Sequence, residues 1–556
     1  MRILLAYKTT GRSAADPYTS LLPVGLASIC ALLRREGMRA RLANFSPFSW
    51  EKTTDLLAEE QPDLVGISQF THNRFATLRL AELAKRVNPR CLVVLGGPHA
   101  THRSRELLAG FQQVDGVVLG EGEETFLELA RHLQRSGDRD LTAIRGLACR
   151  RGDEIVVTPS RPPIADLDAL PSAISCYHDA IGVDLQRQLE FIITSRGCPA
   201  ACRFCSSPLF WGRSLRFRSP RAIVDELRAI RDTHGLLYFS LRDDTFTADR
   251  RRVLEFCRLL VEERLHVMWN CQSRVASVDE EMLGWMKRAG CECVQYGVES
   301  GSERILRSLG KRITPEQVRQ AAAVTRRVGL HLSIYLITGV PGETDEDLQA
   351  TLRLINDIKP HDGQVSPLAC YPGTSLFSDL VASGGCTSDL FERDRREAFY
   401  LRDDPFVAVS TQKLLDRLTR TAARNEFRPA DFAAQKKLLG FCHATNLMAG
   451  ERYEAVGDMF EAEREYREIV ARQPDNPWGW LAIGELYGGL GNIGEAEKAF
   501  LRVLELVPAH APACVALGEL CRLRGAKPQA EAWYRRALSL TPGEPTALAG
   551  LNLLTK

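Results

Sequence analysis

The sequence predicts a multidomain α/β protein with an all-α tail, and three observations carry that prediction. Strand-like and helix-like segments alternate over roughly the first 140 residues, the pattern of a doubly wound, Rossmann-like parallel sheet. A second alternation of six strand–helix steps begins at Phe191, the pattern of a partial (βα)6 barrel. From about residue 443 the chain repeats itself every 34 residues.

Composition sets the broad class. The 556 residues are 45% apolar and 26% charged, enough for several packed cores and about three or four domains. A net charge of +2 with both signs interspersed leaves no footprint for nucleic acid or an anionic membrane. The apolar run in Met1–Lys8 is too short for a signal peptide or a membrane span. Sixteen cysteines are mostly scattered, as buried thiols of a reducing compartment are, so a cytoplasmic protein is expected.

In chain order, Arg2–Ala6 reads as a buried strand, and Pro23–Val24–Gly25–Leu26 opens a helix that closes at Glu36–Gly37. Strands follow at Ala40–Phe45, Leu64–Ser68, Leu92–Gly96 and Gly116–Leu119, with helices near 51–60, 73–87, 104–111 and 123–134. A ligand crevice is expected beyond the strands' carboxyl ends. The loops there carry Ser68–Gln69–Phe70–Thr71, Gly96–Gly97–Pro98–His99–Ala100–Thr101 and Gly120–Glu121–Gly122–Glu123–Glu124–Thr125. Each is equally readable as a tight strand–helix turn.

The order and spacing of these segments resemble the cobalamin-binding domain of the cobalamin-dependent radical S-adenosylmethionine (SAM) enzymes, over about residues 1–140. The resemblance implies corrinoid contacts at Ser68, Thr71, Gly97, His99, Gly120 and Glu121. It departs from the classical domain in one respect: the D-x-H-x-x-G motif that supplies a histidine to cobalt is absent. His72, His99 and His102 stand near enough in sequence to approach the ligand, or serve as ordinary hydrogen-bonding residues.

Residues 141–185 read as a proline-punctuated connector, with a hairpin turn at Arg150–Asp153. From Phe191, strands are expected at 191–195, 237–242, 266–272, 292–298, 331–338 and 363–370, with helices near 219–233, 249–263, 278–289, 314–328 and 344–358. The first strand delivers Cys198, Cys202 and Cys205, a C-x3-C-x2-C loop. Three closely spaced thiols suit an iron–sulfur cluster with one iron left open; zinc needs a fourth ligand and a disulfide an oxidising compartment. The other strand ends carry Arg242–Phe246, Trp269–Arg274, Gly297–Ser302, Gly339–Thr344 and Cys370–Thr374, so polar residues gather at one rim. Cys291 and Cys293 alternate with period two and are expected to pack on one side of their strand.

The cysteine loop, with Phe204 before its last thiol, looks like the radical SAM signature. That resemblance implies a 4Fe–4S cluster on the three cysteines and SAM on the open iron. It implies SAM contacts at Asp243, Asp244, Arg274, Glu299, Ser300, Gly339 and Gly342, although Glu299 is equally able to pair with Arg274 and Gly342 to cap a turn.

In the tail, Pro474, Pro508 and Pro542 recur with Gly450, Gly484 and Gly518, with Ala462, Ala496 and Ala530, and with Tyr466, Phe500 and Tyr534. This is the tetratricopeptide pattern of paired helices, small residues admitting an aromatic. It is expected to contact a partner protein, or only to pack on the barrel or mediate self-association. The expected segmentation is 1–140, 141–185, 186–400, 401–442 as a helical linker and 443–556.

Together these resemblances imply a radical SAM enzyme that generates a 5′-deoxyadenosyl radical and abstracts hydrogen from an unactivated carbon, for C-methylation with cobalamin. Radical cyclisation, rearrangement or oxidation without methyl transfer, as in the porphyrin-ester cyclases, is the enzymatic alternative. A non-catalytic repeat-based adaptor is the alternative of another class. The implied partners are an external electron donor and a small-molecule, carrier-bound or peptide substrate.

Overall fold

The computed structural model describes residues 1–10, 20–393 and 395–554. Its first sheet has seven strands: β1 (Arg2–Tyr7), β2 (Arg39–Asn44), β3 (Leu64–Ser68), β4 (Leu92–Gly96), β5 (Gly116–Val118), β6 (Leu147–Arg151) and β7 (Glu154–Val157), in the order β2-β1-β3-β4-β5-β6-β7. The first five are parallel, and helices on both faces bury their mostly apolar side chains. β6 and β7 form an antiparallel hairpin on the edge. The sheet therefore runs on into the stretch expected to be connector. Arg150 explains the docking: its guanidinium donates to the carbonyls of Leu108, Phe111 and Val114, satisfying the open end of helix Ser104–Gly110.

The second sheet holds β8 (Phe191–Ile192), β11 (Tyr238–Leu241), β12 (Met268–Ser273), β13 (Cys291–Glu299), β14 (His331–Thr338) and β15 (Asp362–Pro367), all parallel and in sequential order. Two short antiparallel strands, β9 (Ser195–Arg196) and β10 (Arg216–Phe217), flank the cysteine loop between β8 and β11. Four of the crossover helices begin where the sequence supplies a cap: Ser219, Asp249, Asp279 and Thr314 each accept the N–H three residues on.

Parallel register puts Ser240, Asn270 and Cys293 on one face, and Gln272 with Gln295 on the same face. That face is the polar lumen. Trp269 points the other way, stacked edge-on with Phe246 and Phe256 beneath the helices. A bulge in β13 alters one expectation. Cys291 is in register with Trp269, whereas Cys293 is in register with Asn270. The extra residue between them turns the two thiols to opposite faces, so they do not share a side.

The tail forms three helix pairs, His443–Ala455 with Met459–Arg472, Pro477–Gly489 with Ile493–Leu506, and Ala511–Leu523 with Lys527–Leu540, followed by Pro545–Leu554. The last two residues of the expected capping helix lie outside the described residues. The repeated glycines admit the aromatics: a Cβ at Gly450, Gly484 or Gly518 would stand 2.1, 2.8 or 2.5 Å from the ring of Tyr466, Phe500 or Tyr534.

One edge of this array lies along the barrel's base, at the amino ends of the strands. Leu237 and Met268 join the repeats' hydrophobic core. Arg264 pairs with Asp475, Trp478 Nε1 donates to the His266 carbonyl at 3.1 Å, and Gln186 reaches Thr541. A Cβ at Gly235 would meet the Ala509 carbonyl at 2.2 Å, so backbone touches backbone there. The carboxyl ends of the strands face away from the repeats. Among the described residues no helix is long and apolar enough to cross a membrane.

Candidate active site at the barrel mouth

The cysteine loop leaves β9 through Gly197, whose φ of +97° and 2.3 Å clearance from the Ser214 carbonyl admit no side chain. Backbone bonds then fix it to distant elements: Arg203 N–H donates to the Leu309 carbonyl, and Leu376 N–H donates to the Arg203 carbonyl. Phe204 packs against Ile305, Leu309, Val340 and Leu368, the apolar collar beside the fourth, fifth and sixth strand ends. Cys198 is buried, and Cys202 and Cys205 are half-buried.

Burial pushes the Cys205 thiol up to about 11, with Asp244 and the other two cysteines adding to the effect. Loading metal on this loop therefore requires proton release. Arg274 Nη1 stands 3.9 Å from Cys202 Sγ, a cation beside a sulfur that would carry negative charge. Among the described residues no three His, Cys, Asp or Glu side chains close on a point fit for one ion. A cubane cluster seats each cysteine on a separate iron, and three thiols on one anchored, partly buried loop beside a guanidinium suit that arrangement.

The rim residues fall into two groups. Asp243 is buried and structural: its carboxylate accepts the N–H of Thr194 at 2.6 Å and of Ser195 at 3.1 Å. Ser300 is also buried, within hydrogen-bond distance of Thr351 and accepting the Ser302 N–H. Gly339 and Gly342 turn the fifth strand's loop with φ of +75° and +77°, and Glu343 caps that loop by accepting the Gly339 N–H at 2.7 Å. Asp244, held by Ser207, and Arg274 face the mouth.

Glu299 takes a left-handed φ of 67° just after a register shift in β13, a conformation that costs energy for a side chain of this kind. Its partner is Lys311 rather than Arg274: Lys311 Nζ donates to Glu299 Oε1 at 2.6 Å, both groups under a tenth exposed. Lys311 was not singled out from sequence; the signal available was a lysine directly after the turn glycine Gly310. Below the rim, Arg242 and Tyr335 both donate to Gln295 Oε1, at 2.9 and 2.8 Å, and Gln272 donates to the Tyr335 hydroxyl. This belt crosses the lumen from β12 to β14.

A cavity of about 660 Å³ lies where the carboxyl ends of the first sheet meet the barrel. Apolar side chains such as Leu5, Val94, Val118 and Phe126 form its depth; Ser68, Gly97 and Gly120 stand at its loops, and Ile193, Ser195, Arg196 and Trp211 close it from the barrel side. An apolar slot of this volume, entered past glycine loops, fits the base-bearing tail of a corrinoid. Its described lining holds no histidine. Thr71 and His99 lie behind it, paired with each other at 3.1 Å and buried, and burial holds His99 well below its ordinary value. His72 contacts the Tyr7 hydroxyl at 3.1 Å, and His102 packs beneath Gly373. Glu121 lines the cavity but points its carboxylate at the barrel, toward Arg216 and Arg196.

Comparison with known proteins agrees with this layout. Residues 192–355 match the radical SAM superfamily, residues 14–130 the B12 binding domain and residues 481–545 the tetratricopeptide repeat. An uncharacterized methyltransferase of Pyrococcus horikoshii is 32% identical over 366 residues, 65% of this chain and 79% of the relative. The anaerobic magnesium-protoporphyrin IX monomethyl ester cyclase of Cereibacter sphaeroides is 30% identical over 458 residues, 79% of this chain and 73% of the relative. The solved structure of the radical SAM methyltransferase TsrM from Kitasatospora setae shares the fold, with a TM-score of 0.61 at 18% identity over 78% of this chain and 90% of that one. The chain thus belongs to the radical SAM superfamily, in the branch that carries a B12-binding domain ahead of the barrel, here with tetratricopeptide repeats behind it.

Proposed function

We propose that this chain is a cobalamin-dependent radical SAM enzyme that methylates an unactivated carbon. The observation that carries the reading is the shared wall: Ser195 and Arg196, which lead into the cysteine loop, also close the cavity of the first sheet. A group seated in that cavity faces the same mouth as a cluster on Cys198, Cys202 and Cys205. When bound, the cluster with SAM on its open iron supplies a 5′-deoxyadenosyl radical, and methylcobalamin supplies a methyl group.

The protein's own part is to bind, orient and exclude water. Asp244, Arg274 and the Glu299–Lys311 pair offer SAM an acceptor, a cation and a buried charge pair at the rim. The Arg242–Gln295–Tyr335–Gln272 belt floors the chamber, so a substrate is held at the mouth with polar groups toward the lumen. Asp243 and Ser300 act on the scaffold, not on the ligand. The repeats close the base of the barrel, which leaves entry to the mouth, and their outer surface is the natural contact for a protein partner.

A second reading keeps the radical and drops the methyl group. It is favoured by the resemblance to the Cereibacter cyclase, which extends over 79% of this chain. Anaerobic turnover with methyl-labelled SAM and candidate substrates separates the two. Label in the product supports methylation; deoxyadenosine with an unlabelled, oxidised or cyclised product supports the second reading.

A further inference from the structure

Four charged side chains stand between the two halves of the proposed site. Arg196 Nη2 donates to Glu123 Oε1 at 2.5 Å, and its Nη1 lies 3.4 Å from Glu121 Oε2. Arg216 Nη2 lies 2.5 Å from Glu121 Oε1. All four side chains are at most 10% exposed. The glutamates come from the loop after β5 and the helix it starts; the arginines come from β9 and β10, on either side of the cysteine loop.

The connector is caught in the same cluster. Ile164 N–H donates to Glu121 Oε2 at 2.9 Å, and Arg216 Nη1 donates to the Ile164 carbonyl at 2.8 Å. The Arg196 guanidinium also lies over the Trp211 ring at 5.0 Å, and Arg216 Nη2 donates to the Trp211 carbonyl. Glu121, Glu123, Arg196 and Trp211 all line the cavity.

Buried charges are a poor way to gain stability, because desolvation cancels much of the attraction; their better-attested use is to fix register. Apolar side chains would glue these surfaces as well but would let them slide. The directional Arg196–Glu123 hydrogen bond, with the two ion pairs that Glu121 makes to Arg196 and Arg216, does not. Arg196 is one peptide from Gly197 and two residues from Cys198, so a shift of its guanidinium passes directly into the loop.

We propose that Glu121, Glu123, Arg196 and Arg216 form a positioning latch that couples the cavity of the first sheet to the cysteine loop, so that filling one site orders the other. The inference rests on the function proposed above and concerns only how its two cofactor sites communicate.

The test uses the full chain, anaerobically reconstituted with iron and sulfide, titrated with hydroxocobalamin. The readouts are the corrinoid's visible absorbance after gel filtration and the electron paramagnetic resonance spectrum of the reduced cluster. In the parent, cobalamin is expected to sharpen or shift the cluster signal. In Glu121→Gln and Arg196→Lys the affinity for cobalamin should fall about tenfold, within the usual range of coupling between sites, and the cluster signal should no longer respond to it. Arg216→Gln, which leaves Glu121 its contact with Arg196, is the milder variant should the others fold poorly. A merely structural role would lower cofactor content and the melting temperature together while leaving the cobalamin-dependent spectral change intact in the loaded fraction. Parent-like affinity and an unchanged spectral response in all three variants would overturn the latch. Failure of the parent to take up either cofactor would instead refute the proposed function.

Discussion

The Asp243 carboxylate accepts the backbone N–H of Thr194 at 2.6 Å, so the end of β11 holds the strand that leads into the cysteine loop. Arg252, buried beside it, is 4.0 Å away and donates to the Thr194 carbonyl. Asp243→Ala leaves those donors without their acceptor and that cation without its counter-charge, a cost of about 3 kcal/mol. Urea denaturation should show it, and the variant should retain little iron after reconstitution. Asp244→Asn, at the exposed rim, should keep both stability and iron and weaken only SAM binding. Equal iron loss in the two variants would contradict this division of roles.

Lys311 and Glu299 are expected to show strong coupling. Removing the cation in Lys311→Met strands a buried carboxylate, at about 3–5 kcal/mol. Adding Glu299→Gln should recover much of that, because the uncompensated charge goes with it. A double-mutant cycle by chemical denaturation measures the recovery; strictly additive losses would mean that the pair does not act as one unit.

Acid should loosen the junction between repeats and barrel. Burial holds His266 at about 4 and His443 at about 3, against an ordinary 6.5. The groups facing His266 are Asp475, which favours protonation, and Arg264, Arg231 and His443, which oppose it. The folded form keeps these imidazoles neutral while the unfolded chain protonates them below about 6.5. Stability is therefore complete above that pH and falls as pH drops toward 4. For His266 alone the loss at pH 5 is about 2 kcal/mol. His266→Gln should flatten the pH dependence by roughly that amount relative to the parent, together with the change in His443, whose protonation His266 opposes.

The repeats depend on their glycines. Gly484→Ala places a methyl 2.8 Å from the Phe500 ring, so helices Pro477–Gly489 and Ile493–Leu506 must part. A loss of about 1–3 kcal/mol is expected from such overpacking. Hydrogen exchange should rise in that pair of helices while the reconstituted cluster spectrum stays as in the parent.

Much of this was legible because several signals coincide locally. Each barrel strand is followed by polar rim residues and then a helix cap, so alternation and capping mark the same boundaries. The cysteine loop was readable from spacing alone and the repeats from their period. Side-chain direction was not readable. Of two adjacent acids at the end of β11, one turns inward to hold Thr194 and the other outward to the mouth, and only the twist of that strand end decides which. Bulges in β13 separate Cys291 from Cys293 and turn Glu299 toward Lys311, and a register shift leaves no mark in composition. Glu121 reads as a crevice residue yet spends its carboxylate on Arg216 and Arg196, because its partners lie 95 and 75 residues further along the chain. The hairpin turn at Arg150–Asp153 was readable, but not that its strands, β6 and β7, extend the first sheet.

The most direct test is anaerobic incubation of the reconstituted chain with SAM and a strong reductant, with deoxyadenosine quantified. The parent should release deoxyadenosine and carry about four irons per chain, and Cys202→Ala should do neither, while Cys271→Ala, whose thiol is buried away from the loop, should do both. A parent that binds no iron–sulfur cluster, or that leaves SAM intact with the cluster present and reduced, would contradict the assignment of this mouth as a radical-generating site.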